Sequence, residues 1–249
     1  MGKALAILGM IVMSVSMSFG QAASKPAAPA KPATGAKPAT APATAAKPTA
    51  IIDTTAGKMT CTLFPDKAPI GVANFIGLAN GTKDWKSPTG ATKHGVPLYD
   101  GTIFHRVIPQ FMIQGGDPAG TGSGADPVAP FKNEVSSDLL FDQPGRMAYA
   151  NAGPGTNTSQ FFITEVAFTG QQAGMLNGKY TIFGQCDEAT VALVKTIARM
   201  NTDGNDRPYR PIKINHIAIQ KAGATAKPAA APAKKPSAAT TPKPATTPK

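Results

Sequence analysis

One short stretch, residues 104–117 (FHRVIPQFMIQGGD), places a single permanent cation among large apolar side chains and ends in paired glycines. The cation is Arg106. Its guanidinium stays protonated and donates hydrogen bonds, so it could stabilise electron density that builds up on a bound substrate. Two short strands joined by a proline-containing turn would place four side chains on one wall: Arg106, Phe111, Met112 and Gln114. The alternative is structural, because strand Phe and Met residues usually belong to a core and a lone Arg often extends along a surface.

A second stretch, residues 147–164 (MAYANAGPGTNTSQFFIT), runs from small residues through a Gly/Pro/Asn turn into an apolar strand. The small side chains of Ala150 and Ala152 would leave backbone groups within reach of an extended peptide. Phe162 adds another aromatic ring. A third stretch follows at residues 176–184 (LNGKYTIFG). Together the three favour a peptide-binding wall.

These stretches resemble those of the cyclophilin-type peptidyl-prolyl cis/trans isomerases. The patterns FHRVIP.FMIQGGD and ANAG..TN.SQFFI carry the resemblance, which extends over about residues 50–221. It implies a mainly β fold, a closed eight-stranded antiparallel barrel with an α-helix over each open end. A filled interior would force the ligand site onto the outer wall. The implied substrates are Xaa-Pro segments of unfolded or flexible polypeptides, with no cofactor and no metal.

The resemblance also implies roles for individual residues. Arg106 would donate a hydrogen bond to the prolyl nitrogen as amide resonance breaks, and Gln114 would bind the substrate backbone and help to orient the arginine. The apolar pocket for the proline ring would be formed by Phe111, Met112, Phe162 and Leu176. The adjoining peptide would contact Thr121, Gly122, Ala150, Asn151, Ala152, Gln160, Met175 and Tyr180.

Three positions depart from the best-known family members. Met175 stands where many have Trp, Tyr180 where many have His, and Gln110 where many have Gly. Loss of the indole donor puts tight cyclosporin binding in doubt but not isomerisation, and Gln110 is expected to face solvent in its turn. His105 adjoins the proposed catalytic arginine, yet the rotation needs no proton transfer, so a structural role is favoured over acid–base catalysis.

The charge is unevenly distributed along the chain. The 249 residues carry a formal net charge of +11, but residues 51–221 hold 15 Lys and Arg against all 14 Asp and Glu, a balance of +1. The excess therefore belongs to the ends. A folded part this close to neutral is not expected to bind nucleic acid.

The ends have their own patterns. Residues 1–23 are typical of a Sec signal peptide, with an uncleaved anchor as the alternative, and predict a periplasmic or secreted protein. Residues 24–49 and 222–249 consist almost entirely of Ala, Pro, Lys and Thr. Such compositions predict disordered segments around an isomerase domain at 50–221. They could be solubilising spacers or could associate loosely with an anionic envelope polymer.

The two cysteines allow two interpretations. Cys61 and Cys186 each lie in a predicted strand. An exported protein is exposed to oxidants, so the pair could form a disulfide, but two separate buried thiols are the interpretation that the sequence favours.

Three functions compete at this point. The first is a monomeric prolyl isomerase acting on exported proteins. The second is a proline-peptide binding module or holdase chaperone that uses the same pocket without turnover. In the third hypothesis the tails carry the function, and the domain is a spacer attached to the cell envelope.

Overall fold

The computed structural model describes residues 47–221. The predicted signal peptide, nearly all of the 24–49 segment and the 222–249 segment lie outside these residues. Between Lys47 and Lys221, no helix is both long and apolar enough to cross a membrane.

The described chain forms ten strands and three helices. In order they are β1 (Thr49–Thr54), β2 (Gly57–Leu63), α1 (Pro69–Ala79), β3 (Trp85–Lys86), β4 (Thr92–Lys93), β5 (Arg106–Ile108), β6 (Met112–Gly115), β7 (Arg146–Tyr149), β8 (Phe161–Thr164), α2 (Gly170–Leu176), β9 (Ile182–Cys186), α3 (Glu188–Ala198) and β10 (Ile214–Gln220). The mainly β class is confirmed. The expectation of two helices was wrong, because α2 adds a third; its seven residues include two glycines and show no amphipathic repeat.

Eight of the strands form one curled antiparallel sheet in the order β10-β1-β2-β9-β7-β8-β6-β5, and β3 pairs with β4 separately. The prediction of a closed barrel was wrong, since β5 and β10 are the two edges of this sheet. The segments next to these edges are joined by an isolated bridge between Ile103 and Lys213 and by single backbone hydrogen bonds, such as the one from the Phe104 N–H to the Ile212 carbonyl at 3.0 Å, rather than by a continuous ladder. Pro208 and Pro211 lie in the segment before β10 and have no backbone N–H to donate to a ladder.

The helices begin and end where local chemistry dictates. Proline occupies the first turn of α1, where its missing N–H costs nothing, and Gly81 follows the helix at φ 69°. At the start of α3, the Asp187 carboxylate accepts a hydrogen bond from the backbone N–H of Thr190 at 2.8 Å. Both starts carry residue types that are typical of helix N-termini.

Two apolar clusters lie on opposite faces of the sheet. Alternate residues of β6, β7 and β8 enter the interior cluster: Ile113, Met147, Tyr149, Phe161 and Ile163. The residues between them join an outer cluster: Met112, Ala148 and Phe162, with Phe141, Phe168, Leu176 and Ile182. These three strands are therefore buried on both faces, and the filled interior leaves a binding cleft only on the outer wall.

A disulfide joins the two cysteines. Cys61 and Cys186 stand directly opposite each other in the β2–β9 pair, and the structure bonds them across a sequence separation of 125 residues. Of the two interpretations left open by the sequence, the structure supports the bridge.

Removing this disulfide should destabilise the domain. A cross-link over so long a loop restricts the unfolded chain, which the chain-entropy model values at up to about 5 kcal/mol. We expect the free energy of unfolding of the Cys61→Ala/Cys186→Ala variant, measured by urea titration, to be lower by a large part of this amount. A reductant should destabilise the wild type but not the variant. Titration of two free thiols in the oxidised, unfolded wild type would contradict the bridge.

Candidate active site

The strand pair β5–β6 positions the candidate catalytic residues. Arg106 lies directly opposite Gln114 in its register. The turn between the strands holds Gln110 at φ 62°, a left-handed conformation that explains why glycine suits this position. Its backbone N–H donates to the buried Glu165 carboxylate at 2.8 Å, and Arg199 pairs with the same carboxylate at 2.6 Å. Gln110 itself is exposed, as expected for its turn.

An open cleft of about 240 Å³ lies on the outer wall. Nine residues line it, and the sequence singled out all nine: Arg106, Phe111, Met112, Gln114, Ala150, Asn151, Phe162, Leu176 and Tyr180. The apolar side chains come from the turn before β6, from β6 and β8, from the residue after β7 and from the end of α2. The Arg106 guanidinium lies beside them, and Gln114 and Asn151 add further polar groups to the lining.

A second layer of aromatic rings supports the cleft. Phe162 stacks on Phe141 with ring centroids 5.7 Å apart and meets Tyr180 edge-on at 5.6 Å. Phe111 meets Phe168 edge-on at 5.6 Å. Sequence reasoning missed Phe141 and Phe168, since both lie in irregular segments without a periodic pattern. They restrict the cleft rings to one arrangement.

The polar rim is a chain of side-chain hydrogen bonds. Gln114 donates its amide to Gln160 at 2.9 Å, and Gln160 donates to the Gly122 carbonyl at 3.2 Å. The Arg106 Nε instead donates to Asp206 at 3.3 Å. Within residues 47–221 no side-chain hydrogen bond joins Gln114 to Arg106, so the orienting role expected for Gln114 stays a prediction, and the side-chain hydrogen bond of the guanidinium goes to Asp206.

A larger polar cleft of about 560 Å³ adjoins the first and shares Arg106 and Gln114 with it. Its loop contains Thr121 and Gly122, whose backbone N–H groups donate to the Asp117 carboxylate at 2.9 and 2.7 Å. Burial opposes ionisation of Asp117, but these hydrogen bonds and one from Ala119 outweigh it and lower the pKa of the carboxyl group. An ionised Asp117 therefore fixes the loop.

His105 lies beneath this loop. It is 5 % exposed, and a Cβ added to Gly122 would lie 2.9 Å from its ring. Neither ring nitrogen has a hydrogen-bond partner within the described residues. Burial lowers the pKa of His105 below its usual value of 6.5, so the ring is neutral at pH 7. A neutral, packed ring fits the structural role favoured from the sequence.

The remaining predicted residues lie around the first cleft. Met175 is 54 % exposed and lines an adjoining apolar cleft of about 320 Å³ with Phe168 and Gln172. Ala152 is exposed, and its N–H donates to Thr156 at 2.9 Å. Thr121, Gly122 and Gln160 belong to the polar side. The predicted set thus divides into a central cleft and its two flanks.

The backbone of Asn151 is open to a partner. Within residues 47–221, neither its N–H nor its C=O makes a hydrogen bond with the protein. Its side chain is held instead, because the amide donates to the Lys179 carbonyl at 3.1 Å. An extended peptide could pair with this exposed edge.

Asp206 is the third residue that sequence reasoning missed. It lies 100 residues from Arg106 along the chain and in a turn rather than a strand. No local pattern connects the two residues, so only the folded structure brings them together.

An outer-wall cleft lined by aromatic rings, with one arginine and a free backbone edge beside it, gives this mainly β fold a site whose shape suits an extended peptide. The sequence model described as "Cyclophilin type peptidyl-prolyl cis-trans isomerase/CLD" matches residues 49–219. The chain therefore belongs to the cyclophilin family and is a peptidyl-prolyl cis-trans isomerase.

Individual relatives agree. The chain is 49% identical over 172 residues to "Peptidyl-prolyl cis-trans isomerase A" of Mycobacterium tuberculosis, which covers 69% of this chain and 91% of that one. A crystal structure of a cyclophilin-type isomerase from Cryptosporidium parvum aligns with a TM-score of 0.59 and 31% identity, covering 71% of this chain and 98% of that one. A second structure of that protein, determined in the presence of the dipeptide Ala-Pro, aligns with a TM-score of 0.57 and 32% identity, covering 70% and 99%.

The protonation of His105 gives a testable pH dependence. Its pKa is lower in the folded state than in the unfolded chain, so unfolded molecules bind the extra proton first as the pH falls below about 6.5. Asp117 acts in the same direction at lower pH, below about 4. We expect the free energy of unfolding to fall between pH 7.5 and pH 5, measured by urea titration.

Substitution of His105 should remove this dependence of the free energy of unfolding on pH. In His105→Asn the decline between pH 7.5 and pH 5 should largely vanish, even if the variant is less stable at both values. His94→Asn, changed at an exposed histidine, should retain it. Stability of the wild type that is constant or rises as the pH falls would contradict the buried neutral ring.

Proposed function

We propose that this isomerase accelerates rotation about Xaa-Pro bonds of exported proteins, with Arg106 stabilising the twisted imide over the apolar cleft. One observation carries the proposal. The Arg106 guanidinium stands at the rim of the cleft, and its two Nη nitrogens make no hydrogen bond to the protein within residues 47–221. They remain available to a substrate.

The physical reason lies in amide resonance. Rotation about a peptide bond faces a barrier of about 18–20 kcal/mol, while the two ground states of an Xaa-Pro bond differ by under about 1 kcal/mol. A catalyst must therefore bind the half-rotated form better than either planar form. As resonance breaks, the prolyl nitrogen gains a basic lone pair. A hydrogen bond from Arg106 to this nitrogen forms only in the twisted state and lowers the barrier selectively.

The cleft supplies the fixed end of the rotation. Phe111, Met112, Phe162 and Leu176 would hold the proline ring by shape and by excluding water. The free backbone groups of Asn151 would pair with the extended peptide. Determination of the Cryptosporidium parvum structure in the presence of Ala-Pro supports a proline-containing ligand for this fold. The polar loop at Thr121 and Gly122 would accept residues that precede the proline.

The loss of Arg106 should separate turnover from binding. Removing one transition-state donor typically costs about 100- to 1,000-fold in rate, so Arg106→Ala should lower kcat/KM for a short Xaa-Pro peptide by that order. The affinity for the same peptide, measured by titration calorimetry, should change far less. A protease-coupled assay measures the rate.

Two controls sharpen this test. Arg210→Ala removes an exposed arginine outside the cleft and should leave both quantities unchanged. Equal proportional losses of rate and affinity in Arg106→Ala would instead support a binding module or holdase.

The exported location rests on the sequence of residues 1–23, a short basic start followed by an apolar run and small residues. We propose that these residues direct the protein out of the cytoplasm and that its clients are exported polypeptides. A reporter enzyme active only after export, fused behind residues 1–23, should gain activity. The same fusion with Lys replacing Ile11 and Val12 should not, and equal activity of the two would contradict the proposal.

The tails form a separate part of the proposal. Residues 24–49 and 222–249 hold nine of the chain's lysines and no acidic residue. We propose that they associate weakly with an anionic envelope polymer, as such interactions are electrostatic and screened by salt. Cosedimentation with cell-wall material should decrease in a variant without residues 222–249, and unchanged retention would refute the idea.

A further inference from the structure

The loop before β10 contains a turn, residues 203–207, that is held by side-chain hydrogen bonds. The Asp203 carboxylate accepts hydrogen bonds from the N–H groups of Asn205 at 2.8 Å and Arg207 at 3.0 Å. Within this turn Asp206 adopts φ 61°, which non-glycine residues other than Asn and Asp rarely adopt. Asp206 is therefore a residue type that suits this position, and the hydrogen bonds to Asp203 hold the turn around it.

This conformation lets Asp206 contact two consecutive residues of β5. Its backbone carbonyl accepts from the N–H of Val107 at 2.9 Å, and its carboxylate accepts from Nε of Arg106 at 3.3 Å. The hydrogen bond from Val107 holds the backbone of β5 next to Arg106. The hydrogen bond from Nε holds the guanidinium at the far end of the Arg106 side chain.

We propose that Asp206 is a positioning residue for catalysis: it holds Nε of Arg106 so that both Nη nitrogens remain directed to the substrate. The proposal rests on the role proposed for Arg106. It assigns to Asp206 the orienting function that the family resemblance implied for Gln114, whose amide is engaged by Gln160.

The expected effect of Asp206 is on the orientation of the Arg106 guanidinium, not on the stability of the fold or on the charge of the site. The side chains of Arg106 and Asp206 are 43% and 44% exposed, so their ion pair is screened and adds little to the stability of the fold. The same screening limits how far the carboxylate weakens the guanidinium as a donor. By contrast, displacement of a catalytic group by about 1 Å can cost about 100-fold in rate.

The turn also reaches the polar cleft. Arg207 donates a hydrogen bond to the Gly120 carbonyl, next to the loop of Thr121 and Gly122. A variant that disturbs the whole turn would therefore alter both clefts. The informative substitutions must keep the backbone of residue 206 in place and change its carboxylate alone.

Two substitutions meet this requirement. Glycine adopts φ 61° readily, so Asp206→Gly keeps the Val107 hydrogen bond and removes the carboxylate. Asparagine also tolerates this conformation, and Asp206→Asn keeps an oxygen that can accept from Nε without the negative charge. We expect Asp206→Gly to lower kcat about tenfold with KM changed less than twofold, and Asp206→Asn to recover most of the loss.

A spectroscopic readout tests the orientation itself. In the full chain, the NMR signal of the Arg106 Nε–H, assigned by its absence in Arg106→Lys, should exchange more slowly with solvent than in Asp206→Gly. A purely structural role would lower the thermal midpoint of Asp206→Gly and leave kcat and this exchange rate unchanged. Higher kcat in both variants would show that the charge of Asp206 opposes catalysis, and either result would overturn the proposal.

Controls separate this inference from the proposed function. Asp66→Asn removes the carboxylate of another exposed ion pair, with Lys47, and should leave kcat unchanged. In an Arg106→Ala background, Asp206→Gly should cause no further loss. If Arg106→Ala reduces the rate but Asp206→Gly does not, only the positioning role fails. If Arg106→Ala leaves the rate unchanged, the proposed function fails first.

Discussion

The structure depends on the burial of three strands on both faces. Residues of β6, β7 and β8 alternate between an interior cluster and an outer cluster, so each strand is fixed from two sides. The interior is filled by aromatic rings such as Phe75, Tyr99 and Phe161, which contact one another edge-on or tilted. No ligand can enter there. The outer cluster provides the only face of these strands that can shape a cleft, and its rings are held by a second aromatic layer.

The position of Arg106 in the sheet also matters for the site. Arg106 lies on β5, an edge strand of the sheet, where one side of the strand faces the turn of Asp206. A central strand would have paired both backbone edges and left less room for a side chain at the rim. In the proposed mechanism the apolar cleft would hold the proline ring, and the edge strand would place the Arg106 donor beside it. Rotation about the bond would need both features and no nucleophile.

Much of the site could be predicted from the sequence because its parts are local. Arg106 and Gln114 belong to one hairpin, and Ala150, Asn151 and Phe162 belong to one strand–turn–strand segment. All of them line the central cleft. The starts of α1 and α3 were also predictable, since proline and Asp187 act within one turn.

The features that escaped prediction are long-range or lack a pattern. The pairing of Cys61 with Cys186 depends on the neighbours that β2 and β9 acquire in the sheet. The open edge between β5 and β10 adjoins an irregular, proline-containing segment whose path no periodicity reveals. Asp206 reaches Arg106 only after the chain has folded, from a turn 100 residues away. Helix α2 has too few residues and too much glycine to signal itself.

The central claim is that the guanidinium stabilises the twisted imide over the apolar cleft. The most direct measurement is a crystal structure of the domain with a bound Xaa-Pro peptide. We expect a proline ring packed against Phe162 and Leu176, with an Nη nitrogen of Arg106 within hydrogen-bonding distance of the prolyl nitrogen. A proline bound outside this cleft, or a guanidinium turned away from an occupied cleft, would contradict it.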